Sequence, residues 1–196
     1  MQKAVRSFFT ARNIAMLGVL LALVLVLQLF GLSVPMPGGT AMSFVLVPII
    51  VGGMLLGPAA GGFLGLAFGI ITIFDPLCLA LMNYTPVLAV LTVLLKGTLA
   101  GILPALLFRA VARKNRYVAA FAAAACAPIV NTGVFVLGCL CMYDAVVASV
   151  GSAFGVFIAL IMINFAIELG VNLVLAPAIY SVDRIVEKRL SGRSAR

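Results

Sequence analysis

The chain has 196 residues, 65% of them hydrophobic and only 9% charged, with a mean hydropathy of +1.30. Soluble domains carry about a quarter charged residues, so a water-exposed fold is excluded and lipid is the solvent for most of this surface. The net charge of +8 argues for anionic headgroups rather than nucleic acid as its partner, because twelve of the thirteen Lys and Arg residues fall in three short segments between apolar runs.

A helix that crosses a bilayer needs about 20 mostly apolar residues. The first such run, 13–32, follows Lys3, Arg6 and Arg12. It is long enough to span, and no small-x-small cleavage site precedes a soluble region, so it reads as a membrane helix rather than a signal peptide. Residues 33–40 hold two prolines and two glycines and interrupt the helix. The second run, 41–56, ends at Gly57-Pro58, and the third covers 59–73. Asp75-Pro76 and Thr85-Pro86 mark 75–86 as a connection. The fourth run is 87–108, and the loop 109–116 carries Arg109, Arg113, Lys114 and Arg116. The fifth, 117–142, ends at Tyr143-Asp144; an amphipathic or irregular piece follows, and the sixth covers 157–182. A basic tail, 183–196, closes the chain. The pattern predicts one all-α domain, 1–196, a bundle of six transmembrane helices. The basic segments precede the first run, separate the fourth from the fifth and follow the sixth. Six spans with both termini in the cytoplasm put all three on one side of a plasma membrane.

Two ionisable residues lie deep in these runs, Lys96 in the fourth and Glu168 in the sixth. A charge at such depth is costly, and it faces the bundle interior, paired or functional. At about 1.5 Å per residue, Lys96, Asn131 of the fifth run and Glu168 come to similar depth on three helices. Asn164, Glu168 and Asn172 recur every fourth residue and share one helix face. Asn131-Thr132 follows Pro128, whose missing N–H loosens the helix and frees carbonyl groups. Two readings stay open: a structural Lys96–Glu168 pair with asparagines bonding between helices, or a site where Lys96 meets an anionic solute and the amides orient it. The glycines of the second and third runs, Gly69 among them, allow close helix packing or leave room for a ligand. Cys78, Cys126, Cys139 and Cys141 lie in apolar stretches without CxxC spacing or histidine, and read as small buried hydrophobes rather than metal ligands. No imidazole base, nucleophile elbow or phosphate-binding loop occurs, so neither catalysis nor ATP hydrolysis is expected of this chain, and no cofactor or metal. Active transport would draw on an ion gradient or on a partner.

Four stretches together resemble the substrate-binding S components of energy-coupling-factor (ECF) vitamin transporters. They are Arg12-Asn13-Ile14-Ala15-Met16-Leu17-Gly18; Ser43-Phe44 to Pro48 with Gly52-Gly53-Met54-Leu55-Leu56-Gly57-Pro58; Ala127-Pro128-Ile129-Val130-Asn131-Thr132-Gly133; and Asn164-x-x-x-Glu168-Leu169 with Leu175-Ala176-Pro177-Ala178-Ile179. The resemblance implies a six-helix capture subunit of a prokaryotic plasma membrane. It also implies a membrane T component and two cytoplasmic ATPase subunits as partners. The small-residue face Ala11, Ala15, Gly18 and Ala22 would meet the T component. Among the vitamins, the pattern is most similar to the pantothenate type, in which Lys96 and Asn131 would hold the ligand, with Thr132, Asn164 and Glu168 around it and Gly69 making room. Riboflavin, folate and cobalamin types, and a stand-alone ion-coupled permease, remain alternatives.

Overall fold

Proline and glycine set the element boundaries. In the computed structural model, which describes residues 10–29, 34–35, 41–42, 44–151 and 154–191, Pro58, Pro76 and Pro86 each open a helix. At that position a missing N–H forfeits no intrahelical bond. The elements in order are α1 (Ala11–Leu29), β1 (Val34–Pro35), β2 (Ala41–Met42), α2 (Leu46–Leu56), α3 (Pro58–Thr72), α4 (Pro76–Met82), α5 (Pro86–Val111), α6 (Arg116–Cys141), α7 (Tyr143–Val150) and α8 (Phe154–Ser191). The two strands form a minimal antiparallel pair, Val34 opposite Met42 and Pro35 opposite Ala41. Asn115 caps α6: its Oδ1 accepts from the Tyr117 and Val118 N–H groups at 2.9 and 3.2 Å.

Four described helices are long and apolar enough to cross a bilayer: α1, α5, α6 and the 154–182 part of α8. The α3–α4 pair makes a fifth if counted as one span, but it bends by 71°. This differs from the expected six runs in three places. The run 41–56 spends its first residues on the strand pair and a turn, leaving α2 with 11 residues; at about 1.5 Å each, that is roughly half the hydrocarbon thickness. The connection 75–86 contains the helix α4, because Pro76 starts a new helix as readily as it ends an old one. The irregular piece before the last run is the helix α7, and α8 continues past Val182 into the basic segment as far as Ser191. Residues 30–32 of the first run lie outside the described residues, as do Lys3, Arg6, Arg193 and Arg196.

Helix α5 is the hub, packed most extensively against α3 and α6. Its crossing with α3 is made by glycines at four-residue spacing: a Cβ added at Gly61 would run into the Gly101 carbonyl, and one at Gly65 into the Gly97 carbonyl. Lipid supplies no hydrophobic drive between helices, so backbones this close associate through packing and weak Cα–H···O contacts. Gly57, between α2 and α3, has φ +107°, and a side chain there would also meet the Arg109 guanidinium.

The outer surface is apolar, with Val87, Leu91, Leu137, Val156 and Val174 among the exposed side chains. Inside, buried apolar residues form two clusters. One gathers α2, Phe68, Phe108, the alanines of α6 and Ile179. The other gathers Cys78, Ala89, Val93, Met142, Val146, Phe157 and Ile161. Polar groups occupy the junction between them.

Candidate functional site

Six helices converge on that junction. From α3 come Phe68 and Thr72; from α5, Val93 and Lys96; from α6, Asn131, Thr132 and Phe135; from α8, Ile161, Asn164 and Glu168; from α1, Gln28. Asp75, Leu77 and Cys78 close the rim at the α3–α4 bend. Together they surround about 710 Å³ of space not filled by atoms, counting the open mouth. Members of both apolar clusters lie in the wall, Phe68 from one and Cys78, Val93 and Ile161 from the other.

Lys96 holds the cavity's ammonium. Its Nζ lies 4.7 Å from the centroid of Phe135 and 5.7 Å from that of Phe68, inside the range of cation–π attraction. Glu168 and Asp75 both act on it electrostatically. Among the described residues, however, neither carboxylate reaches it within 4.0 Å. Among these residues the positive charge is therefore held by ring faces and by through-space attraction.

The carboxyl groups have amides for neighbours instead. Glu168, 4% exposed, lies beside the Asn131 side chain, which is 8% exposed, close enough for the amide to act on its carboxylate. Gln28 Nε2 donates to Asp75 Oδ2 at 3.5 Å. Four buried oxygens along the wall have no hydrogen-bond partner: Gln28 Oε1, Asn131 Oδ1, Asn164 Oδ1 and Glu168 Oε2. Such groups are costly unless something donates to them.

The residues expected to form a site divide cleanly. Lys96, Asn131, Thr132, Asn164 and Glu168 all border this one cavity. Gly69 is not in its wall: a Cβ there would come within 2.7 Å of the Val93 carbonyl and 3.0 Å of Leu94 Cα, so Gly69 serves the α3–α5 crossing. Asn172 lies one turn below, donating from Nδ2 to the Glu168 carbonyl at 2.8 Å, and it continues the polar stripe without lining the cavity. Sequence reasoning missed Gln28 and Asp75. Gln28 sits in an uninterrupted apolar run, which was itself the available signal; Asp75 looked like part of a connection because Pro76 follows it. Among the described residues no His, Cys, Asp and Glu group has the arrangement of a metal site.

Ala11, Ala15, Gly18 and Ala22, none of them in the cavity wall, are all exposed along one side of α1, and nothing stands within 4 Å of a Cβ added at Gly18.

Residues 12–180 match the family model described as ECF transporter, substrate-specific component. No curated protein matches the chain.

Proposed function

The chain belongs to the substrate-specific component family of ECF transporters, a family of multi-pass membrane subunits that bind substrate and carry out no catalysis, and on that premise we propose that the cavity at Lys96 captures a small carboxylate vitamin. The observation that carries this is the unpaired ammonium itself. Lys96 Nζ rests on two aromatic faces with, among the described residues, no carboxylate within 4.0 Å, in a cavity that also offers amides and a threonine hydroxyl. A solute carboxylate would gain charge-assisted hydrogen bonds there, about twice as strong as neutral ones. Asn131, Thr132, Asn164 and Glu168 orient the rest of the molecule. Pantothenate, with its carboxylate, amide and hydroxyl groups, is the first candidate.

The partners follow from the family: a membrane T component and two cytoplasmic ATPase subunits, in the plasma membrane of a prokaryote. The exposed small-residue face Ala11, Ala15, Gly18 and Ala22 supports a close helix–helix contact with the T component, since small residues let backbones approach in lipid. The six-pass topology with cytoplasmic ends is part of the same proposal. It counts α2 as a short pass and α3–α4 as a bent one, and it rests on the clustering of basic residues.

The test is purification from native membranes. A capture subunit brings down an ATPase-bearing complex and retains a small carboxylate solute that mass spectrometry identifies. Uptake by the pure chain in liposomes, driven by a pH gradient alone, would instead establish a stand-alone permease.

A further inference from the structure

The cavity holds more acid than a pure anion site needs. Only five acidic residues occur in the whole chain, and two of them, Asp75 and Glu168, border this cavity, against one of the thirteen basic residues. A site built solely for a carboxylate would keep carboxyl groups away, since like charges repel across a low-dielectric space. The amides point the same way. Gln28 gives its N–H₂ to the Asp75 carboxylate. That fixes its orientation, so what Gln28 has left for a solute is an oxygen. Gln28 Oε1, Asn131 Oδ1 and Glu168 Oε2 are all buried beside the cavity and unpartnered. Apart from Lys96, the Asn164 amide and the Thr132 hydroxyl, the wall thus offers acceptors rather than free donors.

We infer that the solute is amphoteric: one end is a carboxylate taken by Lys96, and the other is a cationic nitrogen that donates to Asp75 and to the unpaired oxygens of Gln28 and Asn131. An ammonium has three donors and no acceptor, which complements such a wall. The aromatic faces of Phe68 and Phe135 already carry Lys96, so the solute's cation is left to the acidic side. Asp75 is well placed for this role, because it stands at the α3–α4 bend as the residue preceding α4, on the cavity rim. The inference rests on the cavity being the solute site; within the carboxylate class it places a solute with a cationic nitrogen ahead of pantothenate, whose nitrogen is a neutral amide.

The experiment uses the full chain in lipid nanodiscs and matched series of probes. β-Alanine, γ-aminobutyrate and ε-aminocaproate are titrated beside propionate, butyrate and caproate, and beside propylamine, butylamine and hexylamine, with thermal unfolding as the readout. The varied lengths cover different separations between the two ends of the site. At least one amino acid should bind at least about tenfold more tightly than its matching carboxylate and its matching amine. In Asp75→Asn, which keeps a residue suited to the helix-capping position, that amino acid should fall to the affinity of its carboxylate. Carboxylates that bind wild type as tightly as the amino acids, or a preference that survives Asp75→Asn, would overturn the amphoteric inference alone. A panel that shifts nothing would overturn the cavity as a small-solute site, and the inference with it.

Discussion

Replacing Lys96 with Met removes the cavity's ammonium while keeping an unbranched chain of similar reach. The two ring contacts, at 4.7 and 5.7 Å, are worth about 0.5–2 kcal/mol each. Among the described residues no carboxylate lies within 4.0 Å of Nζ. At an effective dielectric near 20, its attraction to Glu168 is therefore at most about 4 kcal/mol. Lys96→Met should cost folding stability within that sum, and Lys96→Met combined with Glu168→Gln should recover much of it, because the carboxylate left behind is neutralised as well. Binding should behave differently. Truncating one partner of a buried charge pair costs about 2–5 kcal/mol, so the Kd for a carboxylate solute should rise about 30- to 5,000-fold and stay high in the double variant. The assay is calorimetric titration of wild type and both variants in detergent with the solute eluted from wild type, beside thermal unfolding. Unchanged affinity in Lys96→Met, or affinity restored together with stability in the double variant, would refute a binding role and leave a structural Lys96–Glu168 pair.

Other substitutions test the scaffold and its partner face. Gly65→Val and Gly101→Val should each destabilise by about 1–3 kcal/mol or more in thermal unfolding, since the added carbons collide with backbone across α3–α5. Gly133→Ala, with nothing within 4 Å of the new carbon, should be neutral or stabilising by up to about 1 kcal/mol through helix propensity. Asn115→Ala removes the cap of α6 and should cost about 1 kcal/mol in the same measurement. Gly18→Trp should leave unfolding and solute binding unchanged but reduce co-purification of the T component and ATPases; intact co-purification would move the partner contact off this face of α1.

Much of the molecule is legible in one dimension. Hydropathy identifies a lipid-embedded chain because lipid accepts only long, internally hydrogen-bonded apolar segments. Lys96 and Glu168 announce themselves because a charge inside such a segment has to face the interior. Counting residues from the helix ends put Lys96, Asn131 and Glu168 at similar depth, and all three border one cavity. What a linear reading handled poorly was anything set by a bend or a crossing. It treated Gly69 as room for a ligand, although the carbonyl that fills the space beside it comes from Val93 on another helix.

The sequence by itself determined membrane residence, the breaks at Gly57-Pro58, Asp75-Pro76 and Thr85-Pro86, and the candidate polar residues, because each follows from composition, local backbone chemistry or desolvation cost. Only the tertiary structure decided the length of α2, the 71° turn after α3 and the make-up of the cavity wall. The turn carries Asp75 to the rim opposite Gln28 of α1, 47 residues away in sequence. Which side chains share a cavity depends on how helices cross, and crossing is set by glycine contacts between segments that hydropathy treats as independent.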